Sequence, residues 1–164
     1  MARRVQCQRS WTESGRALRR WTRGLLYAGW LLMQATGAAA PASREYDVKA
    51  VLLYNFTQFV TWPATAFSAP DAPIVIGILG SDPFDGALAE IARREKAEGR
   101  RIVVEHCRNL ETARRCQILF VSMDERPNWP KIAVALRGQP VLTVAEFDGF
   151  VVGGGMIHLA KNPE

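Results

Sequence analysis

Four side chains in the body of this chain are of a type that ligates metals or attacks electrophiles: His106, Cys107, Cys116 and His158. A structural zinc site shows two close ligand pairs such as C-x-x-C. Here His106 and Cys107 are adjacent, so a strand would send them to opposite faces. His158 stands between Ile157 and Leu159 in a strand-like run, where it reads as a solvated residue. The spacing therefore argues against a metal site. Nucleophilic catalysis needs a base within hydrogen-bond reach and a third group to orient it. A spatial pair such as Cys116 with His158 stays open, but nothing resembles a nucleophile elbow, and paired carboxylates in an apolar setting are lacking. No catalytic, cofactor-binding or metal residue is expected, which disfavours an enzyme.

Cys107 and Cys116 remain as a disulfide or redox candidate. If they flank a short crossover helix, neighbouring parallel strands hold the two ends roughly 15 Å apart, whereas a disulfide needs Cα atoms within about 7 Å. The bridge is expected only where Cys107 belongs to a loop that folds back. Gly77-x-x-Gly80-Ser81-Asp82 lies where α/β folds bind phosphates. It has neither a third glycine at dinucleotide spacing nor a P-loop lysine, and Asp82 and Asp85 would repel an anion. A tight turn is the better reading. Tyr54, Phe59, Trp62 and Pro63 are the candidate partner surface, an aromatic anchor of the kind that dominates interfaces. The opposing reading plugs these rings into the core.

The elements that must position these residues begin after residue 42. Seven arginines precede the apolar run Gly24–Met33, and Gly37-Ala38-Ala39-Ala40 follows. A charged stretch, a short apolar stretch and small residues describe a secretory leader. The expected domains are thus a signal peptide over 1–42, cleaved near Ala39 or Ala42, and an α/β domain over 43–164. The apolar run falls short of the ~18–20 residues of a membrane span, so the membrane is a partner only through an uncleaved leader.

The leader also decides the charge argument. The whole chain is +5 with a pI near 9.5, but residues 1–40 hold seven of its 21 basic residues and one of its 16 acids. The rest carries 14 bases against 15 acids, about −1, which removes nucleic acid as an expected partner. Some 124 residues suffice for one core.

Ser43 to Val60 reads as a helix with Ser43 as N-cap, since Val48, Leu52, Phe56 and Phe59 recur at helical spacing. Val51, Leu53, Tyr54 and Val60 widen its apolar surface, so it is covered on several sides or offers one to a partner. Trp62-Pro63 ends it, and 64–73 is a loop. Ile74–Leu79 is a continuous apolar strand, buried on both faces. A helix follows from Pro83 to Lys96, with Asp82 capping and Gly99 ending it. Strands at 101–105, 117–122, 141–144 and 156–160 alternate with helices at 110–115 and 129–136. That alternation implies βαβ units. Met156–Ala160 and Lys161-Asn162-Pro163 look like a strand entering a turn whose returning strand is missing.

Five segments in this order resemble the YfiR family of small periplasmic proteins: residues 49–63, 76–84, 116–121, 140–144 and 154–157. The most specific is Lys49-Ala50-Val51-Leu52-Leu53-Tyr54-Asn55-Phe56-Thr57-Gln58-Phe59-Val60-Thr61-Trp62-Pro63. The resemblance implies a Rossmann-like layered sandwich with a mainly parallel sheet, preceded by an N-terminal helix. It implies an exported, non-enzymatic regulator without a cofactor, which inhibits a membrane diguanylate cyclase by contact with its periplasmic sensor region and so controls cyclic di-GMP and biofilm growth. The expected partner is the periplasmic domain of an inner-membrane signalling protein, with a homodimer left open. Redox state of family cysteines is linked to the switch, but cysteine placement varies, so the role does not pass directly to Cys107 and Cys116. Family members also continue past Gly-Gly-Met-Ile with a strand and a helix, expected to be missing here. A periplasmic small-ligand module, using the crevice near Gly80–Phe84 and Gly153–Met156, is the alternative.

Overall fold

The structure, a computed structural model, describes residues 41–160. The expected leader lies outside the described residues up to residue 40. Helix α1 spans Pro41–Phe59, so Ser43 falls within the helix and does not open it. Val60 N–H closes the last turn on the Phe56 carbonyl before Trp62-Pro63 turns the chain away.

Strand β1, Ile74–Leu79, is the centre of the sheet. Helix α2 (Ala87–Arg94) follows, then β2 (Lys96–Ala97), β3 (Arg100–Cys107), α3 (Leu110–Ala113) and β4 (Ile118–Val121). Helix α4 (Trp129–Leu136), β5 (Leu142–Ala145) and β6 (Ile157–His158) are the last elements of the described residues. The sheet order is β2-β3-β1-β4-β5-β6, parallel throughout except for the β2–β3 hairpin. The chain steps from β1 outward to β3, then back across to β4, a doubly wound order with its switch between β1 and β4.

Because successive strand residues face opposite ways, the sheet carries two cores. Ile74, Ile76, Ile78, Ile102, Ile118 and Phe120 pack under α1 and α2, against Ala50, Leu53, Leu88 and Ala92. Leu79, Cys107, Leu119 and Val121 face the other way, against Ala113, Trp129, Ile132 and Leu136 of α3 and α4. The continuous apolar runs of β1 and β4 are explained by that double burial.

Two expected boundaries are corrected. The helix after β1 starts at Ala87, not Pro83: Asp82 Oδ1 accepts from Phe84 N at 2.8 Å, and Asp85 and Gly86 then turn through positive φ. That detour seats Phe84 edge-on against Tyr46 and Phe120. The same helix stops at Arg94, and Lys96-Ala97 turns into a strand. Glu98 and Gly99 (φ 49° and 77°) make the left-handed two-residue turn that matches strand twist, so Gly99 closes a hairpin and does not cap a helix. Full burial of Ala97 against the core decides the exchange.

Candidate functional site

The switch point between β1 and β4 is where a doubly wound sheet binds ligands. Here the chain fills it from within. Asp124, just after β4, accepts from Ser81 N at 3.1 Å and from Ser81 Oγ at 2.9 Å, and Ser122 Oγ donates to the Ser81 carbonyl. A Cβ on Gly80, which sits at φ 92°, would lie 2.5 Å from Asp124 Oδ1. The Ser81 N–H, a donor that could meet a phosphate, is thus satisfied by a carboxylate of the same chain, and Gly80 bends the chain at positive φ. Pro83–Phe84 and Gly153–Met156 line separate clefts of about 530 and 310 Å³.

His106, at the end of β3, is exposed and lies 3.6 Å from Asp82, while Cys107 is buried on the opposite face. His158 is exposed on β6. Among the described residues no three His, Cys, Asp or Glu side chains are grouped to hold a metal ion.

The two cysteines meet. Their Sγ atoms lie 3.5 Å apart, both buried and both free thiols. Cys107 does not belong to a loop that folds back; it is the last residue of β3, paired with Leu79. The approach comes from the other side. The chain leaving α3 carries Cys116 over the sheet face before Gln117 N–H bonds to the Val75 carbonyl and β4 begins. Gly77 of β1 makes the space, since a Cβ there would lie 2.5 Å from Cys116 Sγ and 2.8 Å from Cys107 Sγ. The hydrogen bond from Cys116 lowers the pKa of Cys107, against the opposing effect of burial, and Thr112 adds to the lowering. The same hydrogen bond, and then burial, raise that of Cys116.

The expected aromatic surface divides. Phe59 is 82% exposed and Pro63 is exposed, while Tyr54 and Trp62 lie half-buried against the core. Trp62 Nε1 donates to the Gln117 carbonyl at 3.1 Å, anchoring the end of the helix to the start of β4. On α1, Val48, Val51 and Leu52 are also exposed. Together with Phe59 they follow helical spacing, so among the described residues one face of α1 carries an exposed apolar stripe. The face turned to the core carries Ala50, Leu53 and Thr57.

Sequence reasoning missed the polar latch beneath that helix. Lys49 and Glu146, only 4% and 7% exposed, pair at 2.5 Å. Tyr46 Oη donates to Glu146 Oε1 at 2.7 Å, and Glu45 also pairs with Lys49. Burial opposes the Lys49 charge, but hydrogen bonds to Glu146 and then Glu45 outweigh it and raise the lysine pKa. Burial, followed by the hydrogen bond to Glu146, raises that of Tyr46 well above the phenol range. Nothing local in the sequence marks Lys49 as buried, because its partner is 97 residues away.

A comparison with curated proteins returns no match to the chain. The family comparison does: the YfiR/HmsC-like pattern covers residues 46–164, from the latch of α1 through every strand of the sheet. An α/β domain of this order, carrying the helix segment that first suggested the resemblance, belongs to the YfiR/HmsC-like family.

Proposed function

We propose that this protein is an exported, non-enzymatic regulator that binds the periplasmic sensor region of an inner-membrane diguanylate cyclase and thereby restrains cyclic di-GMP synthesis. Membership of the family over residues 46–164 is the observation that carries this reading. The arginine-rich leader supports export, and the apolar stripe Val48, Val51, Leu52 and Phe59 offers a surface for a partner. Tyr54 and Trp62 contribute beneath it by fixing the helix, and Pro63 lies at its rim.

Within that reading, Cys107 and Cys116 form a disulfide in the oxidising compartment. The oxidant is a disulfide-bearing oxidoreductase, with exchange passing through a mixed disulfide. The two thiols give up two electrons and two protons, and the oxidoreductase leaves as its dithiol.

Gene deletion with measurement of cyclic di-GMP tests the function. The level should rise, and full-length chain supplied in trans should restore it. An unchanged level across several growth conditions would overturn the proposal.

A further inference from the structure

Strand β3 is eight residues long, but its outer neighbour β2 covers only Arg100 and Arg101. The pair next to a two-residue turn exchanges both backbone hydrogen bonds, so Arg100 turns its N–H and C=O outward, toward β2. By alternation Ile102, Val104 and His106 present theirs along the same edge. Among the described residues no strand pairs with this edge beyond Arg101. Edges are normally blunted by charge, proline or a bulge. Val103 and Val104, half-buried at the middle of this one, supply none of these.

Beside the edge runs a cleft of about 490 Å³, walled on one side by α2 and on the other by residues 101–104 of β3. Its rim is basic. Arg93, Arg94, Lys96 and Arg101 line it against Glu95, and Glu90 pairs with both Arg93 and Arg94. Lys96 stands directly opposite Arg101 in the hairpin. Like charges so placed destabilise a ladder unless an anion joins them.

We propose that the outer edge of β3 is a strand-addition site that takes an extended, acidic segment of a protein partner. The segment pairs with Ile102, Val104 and His106 while its carboxylates, on the face that Arg101 shares with Lys96, reach those two side chains. A second copy of this chain fits less well. With β2 in the way, an antiparallel copy must centre on Val104 or Glu105. The first sets Glu105 opposite Val103 and only diagonal to Arg101, the second sets two glutamates face to face, and neither gives Lys96 a partner. The inference rests on the regulatory reading only in supposing a protein partner.

The test uses full-length chain and three capped heptapeptides: one alternating glutamate with valine, its lysine counterpart, and the acidic peptide N-methylated on alternate residues. The acidic peptide should slow amide exchange at Ile102, Val104 and His106 by NMR, and the other two should bind at least about tenfold more weakly. Lys96→Glu with Arg101→Glu, both exposed, should weaken the acidic peptide by about tenfold or more. Equal binding of the N-methylated or lysine peptide, or unprotected edge amides, would overturn the proposal. So would a concentration-dependent dimer abolished by Val104→Pro, which would assign the edge to a second copy. If the Lys96 and Arg101 changes leave cyclic di-GMP control intact while Phe59→Ser abolishes it, the edge proposal fails and the regulatory reading stands.

Discussion

At the residue scale, two pairs decide what the domain can do. The thiols of Cys107 and Cys116 are held in contact by the absence of a side chain at Gly77. Treatment with a disulfide oxidant should give one intramolecular bond, read as a loss of two mass units. The closed loop of about ten residues should add roughly 2–3 kcal/mol to unfolding, reversibly with reductant. Two thiols that survive in the folded, oxidant-treated protein would remove the redox reading. The Lys49–Glu146 pair obeys a different rule, because breaking a buried pair strands a charge. Lys49→Met alone should cost roughly 3–5 kcal/mol in urea unfolding, and adding Glu146→Leu should recover most of it. If the double variant is no better than the single one, the latch acts through packing and not through charge.

At the element scale, α1 has two faces with different duties. Its inner face carries core and latch, so Trp62→Ala, just beyond the helix, should destabilise by roughly 2–3 kcal/mol through lost packing and the bond to Gln117. Its outer stripe is exposed, Phe59 most of all. Phe59→Ser should change stability by less than about 0.5 kcal/mol while impairing control of cyclic di-GMP. A stability loss equal to that of Trp62→Ala would show that the ring is part of the fold. The loop before β6 is another element whose sequence has a packing cause. A side chain at Gly155 would overlap the Phe150 ring, and one at Gly153 would meet Trp129, whose Nε1 donates to the Phe150 carbonyl. Gly155→Ala should therefore cost roughly 1–3 kcal/mol, measured by thermal unfolding.

For the molecule as a whole, the latch sets the alkaline limit of stability. Both Tyr46 and Lys49 have folded pKa values above their ordinary 10.0 and 10.5, so the fold favours their protonated forms. That contribution is complete below about pH 10 and is lost as pH rises through the higher folded values. Unfolding free energy should fall with pH above that point, and Tyr46→Phe should flatten the fall. An unchanged slope would mean that the network does not couple α1 to the sheet.

Much of the architecture was legible because it depends on local pattern. The apolar runs 74–79 and 118–121, the helix 129–136 and the alternation between them follow from burial on both faces of a sheet, and the segment at 49–63 identified the family. The hairpin at Glu98-Gly99 was not legible, since a glycine after charged residues also ends a helix, and only burial of Ala97 separates the two. The thiol contact was hidden for a related reason: parallel-strand geometry keeps strand ends apart, and only the path of the chain over Gly77 brings Cys116 back. By itself the sequence determined the α/β class, the order of the elements other than β2 and the expectation of export, because periodicity and composition are properties of neighbours along the chain. The tertiary structure alone decided which face of α1 lies open, which charges are buried together and which edge of the sheet is unpaired, because those depend on groups that meet only after the sheet has formed.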